Sequence, residues 1–74
     1  MNTSPSIKLL DVVALAADLP AEGLVRGQVG TVVEQLAPGI VEVEFSDDDG
    51  HAYAMVAIPA DQLITLFYSP TKAA

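Results

Sequence analysis

The sequence predicts an all-β domain, a small barrel built from five short strands, and three observations favour it. Between positions 28 and 58, apolar and polar residues alternate in short runs. The turn sequences Pro38-Gly39 and Asp47-Asp48-Asp49-Gly50 separate these runs. The chain has 74 residues, which is enough for one domain with one core. All-β domains of this size commonly protect their strand edges by closing into a barrel.

The first strand is predicted at residues 11–17. Helix is the alternative there, because the apolar residues of this segment also approximate helical spacing. The β-branched pair Val12-Val13 and the nearby Pro20 favour a strand. The segment Leu19–Gly23 is predicted as a turn, because proline fixes its own φ and glycine permits a positive φ.

The third strand, at residues 40–45, shows the cleanest alternation in the chain. Side chains of a strand point alternately to its two faces. This geometry places Val41, Val43 and Phe45 on the core face and leaves Glu42 and Glu44 in water.

The remaining strands are predicted at residues 28–36, 51–58 and 64–68, with a single helical turn at 59–63 before the last strand. Five short strands with such a turn form the layout of an SH3-like barrel. The predicted domain covers residues 8–68, with a flexible N-terminal lead at 1–7 and a C-terminal tail at 69–74.

The charge balance excludes two classes of partner. Ten acidic residues stand against three basic ones, which gives a net charge of −7. Nucleic acids and anionic membranes are bound by clusters of Lys and Arg, so neither partner is predicted. A protein with a basic surface is electrostatically favoured. Asp11 and Asp18 interrupt the apolar N-terminal segment, so no signal peptide is predicted and the expected location is the cytoplasm.

The chain has no cysteine and one histidine, so disulfides are excluded and a structural zinc site lacks ligands. A domain this small then needs either very efficient packing or self-association. A hydrophobic content of 51% suits both, and a homodimer is one of the two expectations.

The sequence lacks the combination of residues that catalysis would need. His51 has no second titrating group or nucleophile in a recognisable setting. The run Asp47, Asp48 and Asp49 before Gly50 predicts a hairpin turn, with weak divalent-cation binding as the alternative. We therefore predict no catalytic residue, no metal ligand and no cofactor, and we expect the protein not to be an enzyme.

Contact with a protein partner is predicted for Arg26, Tyr53, Phe67 and Tyr68. Tyrosine is enriched at protein interfaces. Arg26 is expected to pair with an acidic residue in the preceding loop, Asp18 or Glu22, or with a carboxylate of the partner.

Three runs carry a resemblance to a known family: residues 11–15, the glycine-containing run 23–34, and Val41-Glu42-Val43-Glu44-Phe45 with Asp61-Gln62-Leu63 closing the pattern. Over residues 9–66 the chain resembles a family of small bacterial proteins known as DUF4926, a domain of unknown function. Members of such families are sometimes found beside toxin-like neighbours, which implies an antitoxin or immunity role.

More distantly, the run Gly30-Thr31-Val32-Val33 followed by residues 41–45 resembles SH3-like barrels of photosystem accessory subunits, of the ferredoxin-thioredoxin reductase variable subunit and of the nitrile hydratase β subunit. These barrels dock on a larger protein. The resemblance implies the second hypothesis, an accessory or regulatory subunit of a larger enzyme. Because the matched positions are structural glycines and core valines, no catalytic residue carries over.

Overall fold

The computed structural model describes residues 7–67, which contain five strands and two short 3-10 turns. In chain order these are β1 (Val12–Leu15), η1 (Pro20–Glu22), β2 (Val29–Ala37), β3 (Ile40–Ser46), β4 (Ala52–Pro59), η2 (Ala60–Gln62) and β5 (Leu63–Thr65). The all-β prediction is confirmed, and so is the single helical turn before the last strand.

The five strands form one antiparallel sheet in the order β4-β3-β2-β1-β5. The first strand lies between the second and the last, because Val13 faces Gly30 of β2 on one side and Thr65 of β5 on the other. Val43 of β3 likewise lies between Val32 of β2 and a residue of β4. Within residues 7–67, β4 and β5 are therefore the two edge strands.

One face of this sheet forms the core, and every strand contributes to it. The buried cluster consists of Val13, Leu15, Leu24, Val32, Val41, Val43, Phe45, Ile58 and Leu63. In the part of the chain that the structure describes, no helix or second sheet covers this face. The sheet must therefore coil around its own apolar side, because a flat sheet would leave these side chains in water.

The predicted facing of β3 is confirmed on the core side. Val41, Val43 and Phe45 are at most 1% exposed. Glu42 and Glu44 point the other way, but they are half-buried and not fully in water. The reason is that β3 is an interior strand, so side chains of β2 and β4 flank each glutamate on both sides.

The first and last strands are shorter than predicted. β1 ends at Leu15, because the chain then bends at Ala16-Ala17 and the Ala16 N–H donates to the Gln62 carbonyl at 2.8 Å. β5 ends at Thr65, although the Leu66 N–H still donates to the Val12 carbonyl at 2.9 Å. Helix, the alternative for residues 11–17, does not form.

Gly30 occupies a position in β2 where no side chain would fit against β3. A Cβ atom at this position would lie 2.6 Å from Val43 Cγ1, 2.8 Å from the Glu44 carbonyl oxygen and 2.9 Å from Phe45 Cδ1. Gly30 is buried and directly opposite Phe45 in the register. The phenylalanine ring therefore occupies the space that a side chain at position 30 would need.

The core facing of β3 can be tested with Val43→Asp. An unpaired carboxylate would replace a side chain that is 0% exposed, at a cost of several kcal/mol. We expect the variant to be unfolded at 25 °C by circular dichroism. Glu42→Lys is the control: it removes a like-charge pair with Glu34 on the neighbouring strand, so stability should stay within about 0.5 kcal/mol of wild type. A normally melting Val43→Asp protein would contradict the described core.

The close contact at Gly30 predicts that Gly30→Ala destabilises the domain although the change is small. The added methyl group must push on the backbone of Glu44, and overpacking of this kind costs about 1–3 kcal/mol. We expect a fall in melting temperature of roughly 4–8 °C per kcal/mol. Val29→Ala, on the exposed neighbour in the same strand, should change little. Equal losses of stability for Gly30→Ala and Val29→Ala would contradict the close contact described at Gly30.

Candidate partner-binding surfaces

Several large apolar side chains remain exposed on this domain. They are Leu9, Leu10, Val25, Val29, Leu36, Tyr53, Met55, Ile64 and Phe67. Isolated exposed apolar residues are ordinary in soluble proteins, whereas contiguous patches mark binding surfaces. The arrangement of these residues therefore matters more than their number.

A groove with a volume of about 860 Å³ lies beside β5, and we call it the β5 groove. Its apolar walls come from distant parts of the chain: Ile7 before β1, Pro59 at the end of β4, Ile64 in β5 and Phe67 beyond it. Asp61 in η2 contributes the carboxylate among the lining residues. The β5 groove therefore combines apolar walls with one carboxylate, that of Asp61.

The local structure explains how β5 contributes side chains to both the core and the β5 groove. Pro59 has a φ of −61° and ends β4, and η2 then leads the chain directly into β5. Alternation along β5 buries Leu63 in the core and leaves Ile64 53% exposed. Phe67 follows the strand and is 67% exposed, so two large apolar side chains stand at the open side of the groove.

A tight turn before β1 exposes two leucines. The Asp11 N–H donates to the Lys8 carbonyl at 3.0 Å, and the Lys8 N–H donates to Asp11 Oδ2 at 2.8 Å. Leu10 has a φ of +70°, a left-handed conformation that costs a non-glycine residue about 1–2 kcal/mol. Leu9 and Leu10 are exposed, and the turn follows Ile7 of the β5 groove directly along the chain.

Arg26 does not form the predicted ion pair. Its backbone N–H donates to Asp18 Oδ1 at 2.8 Å, while its guanidinium lies beyond 4 Å of every carboxylate in residues 7–67. The predicted ion pair with Asp18 or Glu22 is therefore wrong, and Asp18 instead closes the loop through a hydrogen bond from the main chain. The Arg26 side chain is exposed and, among the described residues, has no acidic partner.

Tyr53 is partly engaged within the domain. Its hydroxyl accepts a hydrogen bond of 3.0 Å from Gln28 Nε2, and its ring centroid lies 6.4 Å from that of Phe45. Gln28 Oε1 in turn accepts from the Val25 N–H at 2.6 Å. Gln28 thus ties the loop that carries Arg26 to the outer strand β4, a role that the sequence did not reveal.

The predicted contact residues do not form one surface. Arg26 and Tyr53 lie around Gln28, at the start of β2. Phe67 lines the β5 groove with Gly39, which follows the end of β2. Tyr53 belongs to the edge strand β4, whereas Phe67 follows the other edge strand, β5, so these two residues lie at opposite edges of the sheet. Tyr68 lies outside the described residues.

The hairpin between β3 and β4 accounts for the aspartate run. Asp47 Oδ1 accepts hydrogen bonds of 2.9 Å from the backbone N–H groups of Asp49 and His51. Gly50 has a φ of +83°, and its N–H donates to the Asp47 carbonyl, which closes the turn. Carboxylate and imidazole atoms of Asp47, Asp49 and His51 lie within 4.8 Å of one another and are exposed. The turn prediction explains this clustering.

Comparison with known families places the chain. The model of the family described as "Domain of unknown function (DUF4926)" matches residues 9–65, most of the chain. The protein belongs to the DUF4926 family. The resemblance noted over residues 9–66 is thereby confirmed. Searches of curated proteins and of solved structures found no match.

The match covers the whole sheet of this DUF4926 domain, from the turn before β1 to the end of β5. It also includes most residues of the β5 groove, with Ile7 and Phe67 just outside. Within residues 7–67, no helix is long and apolar enough to cross a bilayer.

The role of Asp47 as a turn-forming residue can be tested with Asp47→Ala. Loss of the carboxylate removes two hydrogen bonds to backbone N–H groups, and we expect a destabilisation of about 1 kcal/mol by chemical denaturation. Asp47→Asn keeps the Oδ1 acceptor and should remain close to wild type. Asp48→Ala, in the same turn, should be neutral. Equal losses for Asp47→Ala and Asp48→Ala would contradict this account.

Proposed function

We propose that this DUF4926 protein acts by binding another protein through the β5 groove, without chemistry of its own. The observation that carries the proposal is the grouping of Ile64 and Phe67 beside the groove. Each is more than half exposed on a domain whose core is otherwise well buried. Exposed apolar side chains around a concave surface are typical of protein-binding sites.

The charges indicate what kind of partner segment would fit. Asp61 supplies a carboxylate beside apolar walls, and the whole chain carries a net charge of −7. A segment with an apolar side chain for the groove and a neighbouring Lys or Arg complements both features. Association with a basic partner would be accelerated by the overall field and weakened by salt.

The fold supports the same proposal. We interpret the sheet as an SH3-like barrel, because it has five antiparallel strands, β1 between β2 and β5, and a helical turn before β5. The self-covered core described above is the burial that a barrel provides. Barrels of this kind serve as docking modules in several larger assemblies, an argument from fold analogy alone.

Two biological roles are compatible with such a module. In the first, the protein neutralises a neighbouring protein such as a toxin, as an antitoxin or immunity protein would. In the second, it is an accessory subunit that docks on a larger enzyme. Genetic neighbours distinguish the two: a nuclease-like toxin gene alongside favours the first, and an oxidoreductase or hydratase operon favours the second.

The experiment is affinity capture from the native host with three baits, followed by mass spectrometry. Wild type is compared with Ile64→Lys, which places a cation at the groove, and with Val25→Lys, a matched change at the exposed loop before β2. We expect wild type and Val25→Lys to retain the same protein and Ile64→Lys to lose at least about tenfold in affinity, equal to about 1.4 kcal/mol. All three baits should melt alike.

Retention of the partner by Ile64→Lys with loss by Val25→Lys would move the interface to the loop before β2. Recovery of no protein at all, together with a small ligand that raises the melting temperature, would overturn protein binding as the function.

A further inference from the structure

The edge strand β4 carries no charged side chain. Its eight residues, Ala52–Pro59, include no Asp, Glu, Lys or Arg, although the chain as a whole is strongly acidic. An exposed strand edge presents unpaired N–H and C=O groups that can pair with another chain. Natural edges are usually protected by shortness, charges, proline or bulges.

The two edges of this sheet differ in that protection. β5 has three residues and begins two residues after Asp61, so it is short and next to a charge. β4 is protected only at its ends, by a register shift opposite Phe45-Ser46 and by Pro59. The segment Ala54–Ile58 between them is regular and follows the pairing of β3 without interruption.

The backbone pattern shows which groups of β4 face outward. The Ala60 N–H donates to the Gly39 carbonyl, which marks this opposed pair as hydrogen-bonded. Hydrogen-bonded and non-hydrogen-bonded pairs alternate along an antiparallel ladder. When this alternation is followed along β4 from Ala60 back toward Ala54, Met55 and Ala57 occupy positions that form no backbone hydrogen bonds with β3. Their N–H and C=O groups therefore point away from β3, at the open edge.

We propose that β4 pairs antiparallel with β4 of a second copy of this chain. The resulting two-fold interface would join two five-stranded sheets into one. With Val56 opposite its own copy, Met55 of each chain lies across from Ala57 of the other, and four backbone hydrogen bonds form. The small alanine leaves room for the methionine side chain, which is 52% exposed in the single domain.

Electrostatics favour a second copy on this strand over a different partner. Two chains of net charge −7 repel each other, so a like-charged copy is best tolerated where the contact surface carries no carboxylate. β4 itself meets this condition, and the nearest carboxylates on the same face, those of Glu42 and Glu44, are half-buried one strand further in. Backbone hydrogen bonds and apolar contacts remain, and an identical strand supplies both.

The proposed dimer contact is separate from the main contacts of the β5 groove. The groove shares only Pro59, at the end of β4, while Ile64 and Phe67 lie on or after the opposite edge strand. Loss of the partner protein through a change at Ile64 should therefore leave the dimer intact. One pair of strands buries an area at the low end of specific interfaces, which are roughly 1,200–2,000 Å². The dimer should therefore dissociate on dilution.

The test is sedimentation velocity of the full chain between about 1 mM and about 10 µM. Wild type should shift from twice the monomer mass to the monomer mass as it is diluted. Ala57→Pro removes the outward N–H but no bond to β3, and should stay monomeric throughout. Ala57→Ser keeps the N–H and should dimerise like wild type.

A second pair of variants protects the test against misfolding of the proline variant. Met55→Lys places a cation on the edge and reduces the net negative charge, so any loss of dimer cannot come from a larger net charge. Ile64→Lys makes the same charge change on the other edge and should dimerise normally. We expect the dissociation constant to rise at least tenfold for Met55→Lys alone.

Wild type that is monomeric at every concentration would overturn the proposal, and so would a dimer that Met55→Lys and Ala57→Pro leave intact. A monomeric wild type whose captured partner is lost with Met55→Lys would assign the edge to a different chain and reject the second copy.

Discussion

A single sheet has to bury its own apolar face in this domain, because no other layer covers that face within residues 7–67. Side chains from all five strands meet in one buried cluster, which includes Phe45. Gly30 leaves space for the Phe45 ring, because a Cβ at position 30 would lie 2.9 Å from Phe45 Cδ1 and 2.8 Å from the Glu44 carbonyl oxygen. The glycine of β2 and the core facing of β3 therefore serve the same cluster.

The same constraint explains the exposed apolar surface. A chain of 74 residues with 51% hydrophobic residues has more apolar side chains than one coiled sheet can enclose. The surplus is concentrated at the β5 groove, the turn before β1 and the edge of β4. These are the ends and edges of the sheet, where the backbone also leaves groups unpaired. Binding surfaces are therefore expected at the ends and edges of the sheet, where apolar side chains and backbone groups remain without partners in the domain.

Much of the architecture could be predicted from the sequence, since alternation and turn residues are local signals. Val41, Val43 and Phe45 follow period two, and the core facing of β3 follows directly. The predicted ends of β1 and β5 were wrong, because a strand ends where its backbone pairing with the neighbouring strands ends. The bend after Leu15 depends on a hydrogen bond to Gln62, which lies far away in sequence.

The candidate surfaces were harder to predict for a related reason. Arg26 was expected to use its guanidinium, but a main-chain N–H reached Asp18 instead, and no side-chain pattern distinguishes these two outcomes. Phe67 and Tyr53 were named as contact residues without any indication that they lie at opposite edges of the sheet. Which strands form the edges depends on the pairing of all five strands together. Leu24 lies outside every predicted strand and nevertheless belongs to the buried core.

Leu24 gives the long connection between β1 and β2 a firm attachment. Its side chain is 3% exposed. Its backbone N–H and carbonyl both form hydrogen bonds with Leu19, so the chain before η1 is joined to the chain after it. We expect the amides of this pair to exchange more slowly than those of an untethered loop. Arg26 follows two residues beyond Leu24, and its own N–H donates to Asp18 Oδ1. The loop that carries its guanidinium is therefore attached at two points, although it belongs to no strand.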